Sequence, residues 1–148
     1  DIPVPPPKLH GSVAMGLMRN YKFVLTFENT YSTDYVSERV YLALMAGSVP
    51  VYLGAPNIQE FVPPHSFVNV RDYASPRRLA EALESMDDAT YGALHAWRTQ
   101  PLPAYLEAKA KNSTRSAVSF AEGKHASVTY DAERLCQLAR FIRDSRSA

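Results

Sequence analysis

Cysteine is nearly absent from this sequence: Cys136 stands alone among 148 residues. One thiol closes no disulfide within the chain and builds no cysteine-rich zinc site; taken alone it leans toward a reducing compartment. Excess charge of either sign is lacking too, with 16 Lys and Arg against 15 Asp and Glu. That balance removes the electrostatic case for nucleic acid or an anionic membrane surface. An anionic ligand must therefore be held locally, by one or two placed groups. No run approaches the roughly 20 apolar residues that span a bilayer, and no signal peptide is recognisable. The chain opens on Asp1 and a proline-rich stretch, PVPPPK, which reads as a piece of a longer protein. Beyond that stretch there is no low-complexity tract, and there is no internal repeat.

Metal chemistry has little to stand on. His10, His65, His95 and His125 are scattered without ligand spacing, and no carboxylate pair follows a predicted strand. Asp87-Asp88 suits a helix cap better than a metal site, so no intrinsic metal is expected. Trp97 reads as core. Asn112-Ser113-Thr114 is an acceptable glycosylation sequon, meaningful only in a lumenal protein.

What is present is a domain's worth of apolar residues, 46% of the chain, enough for one real core. Residues 1–20 read as a linker and a short N-terminal segment that could hold one helix; residues 21–148 read as the domain. The run 22–27, KFVLTF, suits a strand buried on both faces of a parallel sheet. The stretch 35–46 reads as a helix with Val36, Val40, Ala43 and Leu44 inward. Asp34 or Thr33 would cap its start, and Gly47 would end it in the left-handed conformation. Residues 48–54 form a second strand, 57–61 one helical turn, and 66–70 a third strand. Ser75-Pro76 opens a helix with a capping hydroxyl and proline at the first position, burying Leu79, Leu83 and Met86. Asp87 or Asp88 caps the next, which carries Tyr91, Leu94 and Trp97 or Arg98 and stops before Pro101. Residues 104–111 are helical again, and a final helix spans about 131–144, with Leu135, Leu138, Ala139 and Ile142 inward. The class is α/β with a small parallel sheet.

Ligands of open parallel sheets bind beyond the carboxyl ends of the strands. Strand 22–27 ends at Glu28-Asn29, and Tyr35, Glu38 and Arg39 follow at i, i+3 and i+4 spacing, so a helix through them would present all three on one face. A guanidinium near a helix N-terminus suits phosphate. Tyr, Glu and Arg so placed are more often a solvated helix surface, and Glu28-Asn29 equally fits a turn and a helix cap.

The run YKFVLTFENTYSTDYVSERVYLALMAGSVPVYLGAPNIQEFVPPHSFVNVRDY (21–73) resembles the signature of the α1,3-fucosyltransferase family. It keeps FEN, the spacing from Asn29 to Tyr35, then Glu38, Gly47, Pro50, Gly54, and Pro63-Pro64 before Phe67. The resemblance implies a Rossmann-like three-layer domain, the C-terminal half of a two-domain (GT-B) glycosyltransferase. It implies GDP-fucose as donor, with Glu28, Asn29, Tyr35, Glu38 and Arg39 binding it. Arg39 stands where the family usually has Lys, and would stabilise the leaving GDP; Glu38 would face the charge developing on fucose. Both would be catalytic. The acceptor would be a glycan of a glycoprotein, and GAPNI leans toward the branch acting on the N-glycan core. The base and a second diphosphate-gripping cation lie upstream in the family pattern, and the first cysteine of a CxxC pair is missing beside Cys136. The resemblance allows stimulation by Mn2+, for which the sequence shows no site. The resemblance also places the protein on the lumenal side of the Golgi membrane, anchored through a segment absent from this chain. Two other readings stay open: a degenerate, non-catalytic α/β binding module, and a glycosyltransferase using another nucleotide sugar.

Overall fold

The computed structural model describes residues 11–109. Cys136, Asn112, His10, His125, the polar stretch 112–128 and the expected helix at 131–144 lie outside them. The first helix, α1 (Gly11–Met18), leads to β1 (Phe23–Phe27), then α2 (Glu38–Ala46) and β2 (Val49–Leu53). A short β3 (Val68–Asn69) follows, then α3 (Pro76–Glu84) and α4 (Asp88–Ala93), with 3-10 turns at Ile58–Glu60, Val70–Asp72 and Ala96–Thr99. Residues 104–109 are helical.

The three strands form one parallel sheet in the order β1-β2-β3. Phe23 pairs with Val49 and Phe27 with Leu53; Val51 pairs with Val68. Strand side chains alternate between faces, and two cores result. Tyr52 of β2 joins Val36, Val40, Tyr41 and Leu44 on the α2 side, with Ile58, Val62, Trp97 and Leu106. Val49 and Val51 join Val68 and Leu79 on the α3 side, backed by Phe23, Leu83, Met86, Tyr91 and Leu94. The domain is thus a layer of α2, a sheet, and a layer of α3 and α4. Each fully buried large side chain contributes about 1.5–3 kcal/mol of transfer free energy, and Tyr41, Tyr52, Leu44 and Ile58 are all in that class. Trp97 is core, as expected.

Several local expectations hold for the stated reasons. Ser75 accepts the Arg78 N–H and Pro76 sits at the first helical position. Asp87 accepts the Thr90 N–H at 2.7 Å, a bond that holds its carboxyl below the usual range. Gly47 ends α2 at φ 95°, where a side chain would be strained. Arg98 donates to the Leu44 carbonyl at this same end of α2, a favourable place for a cation.

Others do not hold. Among the described residues β1 is an edge strand and is not buried on both faces: Leu25 is 65% and Phe27 40% exposed. The α3–α4 layer lies over β2 and β3 and meets β1 at Phe23, where Tyr91 packs edge-on against its ring. The helix opened by Asp87 ends at Ala93, so Trp97 and Arg98 belong to a separate 3-10 turn rather than to its face. The third strand keeps only two residues, because Asn69 folds its side chain back to accept the Arg71 N–H and starts a 3-10 turn.

Candidate functional site

The site region is built on the first strand-to-helix connection. The Glu28 N–H donates to the Leu53 carbonyl at 2.8 Å, carrying the β1–β2 ladder one residue past β1. The Glu28 side chain is fully buried. Its Oε1 accepts the Ser37 N–H at 2.8 Å. Ser37 is the N-cap of α2, yet its own hydroxyl makes no capping bond. A carboxylate nine residues upstream therefore satisfies a free amide at the helix start, the task a capping side chain usually performs.

The other carboxylate oxygen, Oε2, lies 3.6 Å from Arg39 Nη1 and accepts no hydrogen bond among the described residues. Arg39 Nη1 also donates to the Phe27 carbonyl at 3.0 Å. The guanidinium is thus pinned beyond the carboxyl end of β1 while 39% of its side chain stays exposed. Glu38 is the first residue of α2 and half-buried, and Asn29 is exposed on the connecting loop.

Tyr35 does not share a helix face with Glu38 and Arg39. The helix starts at Glu38, so neither Thr33 nor Asp34 caps it. Asp34 adopts a left-handed conformation at φ 64°, which interrupts helical geometry. Val36 is then drawn fully into the α2-side core, and Tyr35 is left on the loop, its N–H donating to the Ser32 carbonyl. The expected face is replaced by a loop bearing Asn29 and Tyr35 above a helix start bearing Glu38 and Arg39. Glu28 and Arg39 are brought together, and the buried Glu28 carboxylate faces Ser37 and Arg39.

Sequence reasoning assigned no site role to three contributors. Gly54 leaves the space that Glu28 occupies: a Cβ there would meet Glu28 Cγ and stand 2.5 Å from the Tyr52 hydroxyl. Asn57 exchanges hydrogen bonds with Asp34, and Arg71 stacks over the Tyr31 ring at 3.9 Å. The only signal for Asn57 was its place just after a strand terminator, in GAPNI; Arg71 had none.

Residues 6–147 match the model of glycosyltransferase family 10 (fucosyltransferase), C-terminal part. The chain belongs to this family. It is similar to an alpha-(1,4)-fucosyltransferase of Arabidopsis thaliana, 46% identical over 83 residues, covering 55% of this chain and 21% of the relative. An alpha-(1,3)-fucosyltransferase 7 of Rattus norvegicus is 46% identical over 81 residues, 53% of this chain and 22% of that protein. A 4-galactosyl-N-acetylglucosaminide 3-alpha-L-fucosyltransferase 9 of Homo sapiens is 42% identical over 96 residues, 60% and 27% of the two. The matched stretches thus span a fifth to about a quarter of these relatives' length. The crystal structure of an alpha1,3-fucosyltransferase overlays with a TM-score of 0.50 at 22% identity, covering 88% of this chain and 33% of that one; this likeness concerns the fold, an α/β Rossmann-like layer arrangement. Among the described residues of this fucosyltransferase-family domain, no helix is long and apolar enough to cross a membrane.

Proposed function

We propose that the chain binds GDP-fucose and serves the inverting transfer of fucose, in α1,3 linkage, to a GlcNAc of a glycoprotein glycan. The observation that carries this reading is Arg39. A guanidinium fixed by Phe27 and Glu28, partly open to solvent, stands in the first turn of a helix beyond the carboxyl end of a parallel strand. That is where such sheets bind nucleotides, and the positive end of the α2 dipole adds to the attraction for phosphate.

In this reading Arg39 neutralises the departing diphosphate. Glu38 faces the positive charge developing on the fucose ring. Asn29 and Tyr35 line the donor from the loop, and Glu28 acts by holding Arg39. The acceptor hydroxyl attacks the anomeric carbon from the face opposite GDP, and its proton passes to a general base. The enzyme works on the lumenal side of the Golgi membrane, with an N-glycan core as the favoured acceptor.

Calorimetric titration of the chain with GDP tests the donor site. Weak binding, lost in Arg39→Ala, is expected; equal binding by wild type and variant would sink the assignment. Preference for UDP would point to another nucleotide sugar, and indifference to both nucleotides to a non-catalytic module. In the intact enzyme, Glu38→Ala should lower the transfer rate more than stability, and analysis of the product distinguishes α1,3 from α1,4 linkage.

A further inference from the structure

The loop 28–37 carries Asn29 and Tyr35, and it is tied to the loops that follow both other strands. After β2, Asn57 makes a reciprocal pair: its Oδ1 accepts the Asp34 N–H at 3.0 Å, and its Nδ2 donates to Asp34 Oδ1 at 2.8 Å. After β3, Arg71 stacks on Tyr31. Asp34 is held at φ 64°, a conformation that Asp tolerates better than most residues but that still disfavours any side chain. Two hydrogen bonds to one neighbouring side chain offset that preference. The turn at Asp34 is also what takes Tyr35 off the helix and onto the loop.

We infer that the Asp34–Asn57 pair is a latch that positions the loop for the donor, so that Asn57 is a positioning residue for nucleotide-sugar binding although it touches no reacting atom. This rests on the donor-site reading above. The mechanism is preorganisation. With the latch closed, Asn29 and Tyr35 stand in one arrangement before the ligand arrives; with it open, binding must order the loop and affinity falls. Loss of the latch therefore affects the loop and the donor, not the sheet.

Asn57→Ala opens the latch. Asp34→Asn combined with Asn57→Asp restores it in reverse, because a carboxylate at position 57 accepts both from the backbone N–H at position 34 and from the side-chain amide introduced there. Two measurements follow. Hydrogen exchange at residues 30–36 should quicken about tenfold in Asn57→Ala, equivalent to about 1.4 kcal/mol, with β1 and β2 unchanged, and return toward wild type in the exchanged pair. GDP affinity should fall about tenfold in Asn57→Ala and recover in the exchanged pair. Unchanged exchange in Asn57→Ala, or no recovery in the exchanged pair, overturns the latch. Faster exchange with unchanged GDP affinity overturns its role in binding. If wild type itself ignores GDP, the donor-site reading fails, and with it the latch's role in binding, while the exchange measurement still decides whether the latch exists.

Discussion

Gly54 and Glu28 occupy one space: the missing Cβ of the glycine is where the buried glutamate side chain passes. β2 ends at Leu53, so this glycine meets the residue that follows β1 just where the two strands release their chains to the candidate donor face. The buried carboxylate then serves two partners, the Ser37 amide and the Arg39 guanidinium.

Gly54→Ala should therefore destabilise the domain by about 1–3 kcal/mol, the range for forcing a methyl group into a filled core. The Tyr52 hydroxyl cannot simply retreat, because it accepts the Ala55 N–H at 3.0 Å. Urea denaturation of the two proteins measures the difference; an unchanged midpoint would show that Glu28 yields freely.

Glu28→Ala leaves the Ser37 amide at the start of α2 without its acceptor, which costs about 1–3 kcal/mol. Glu28→Gln keeps an oxygen for that amide and loses only the charge facing Arg39, so its stability loss should be the smaller. Both variants should weaken GDP binding, since both release Arg39 from one of its two anchors. Denaturation and calorimetry on the pair separate the two roles, and a larger stability loss in the glutamine variant would contradict the capping assignment.

Arg98 acts at the opposite end of the same helix. Its guanidinium donates to the Leu44 carbonyl, packs over the Trp97 ring and lies far from the ligand face. Arg98→Met should cost about 1.5–3 kcal/mol, the range for a hydrogen bond with a charged partner, and leave GDP affinity as it is. A fall in affinity matching that of Arg39→Ala would show that the two ends of α2 are coupled.

His95 supplies a pH dependence. Burial, and then the nearby Arg98 charge, depress its pKa below the ordinary 6.5, and its ring meets Tyr91 at 4.8 Å. Below pH 6.5 the unfolded chain binds this proton more readily than the folded one. Its contribution is thus fully present above pH 6.5 and is lost as pH falls through the depressed value. His95→Phe keeps the ring contact without the titration, so its stability should fall less steeply below pH 6.5. Parallel slopes for the two proteins in that window would contradict the assignment.

Much of the domain is determined locally and was therefore legible in the sequence. The apolar runs at 22–27 and 48–54 specify strands, Gly47 terminates a helix because it enters the left-handed region freely, and Ser75-Pro76 and Asp87 start helices through bonds spanning three residues. Burial of Val40, Ala43 and Leu44 follows from helical spacing, whereas Val36, which precedes α2, is buried by the loop. The family signature at 21–73 named the candidate residues, and Glu28, Asn29 and Arg39 stand beyond the carboxyl end of β1, as the strand–helix order implied.

Tertiary structure decided what those residues do there. Helix α2 begins at Glu38 rather than near Tyr35 because its first amide is captured by Glu28 across nine residues, and Asp34 is turned by Asn57 across 23. Among the described residues β1 keeps an open face at Leu25 and Phe27, because neighbours in space and not composition determine which faces are covered. Spacing along the chain records hydrogen bonds and packing within a few turns. A cap supplied from another strand, a glycine that makes room for a distant carboxylate and a latch between two loops depend on how the sheet brings its ends together.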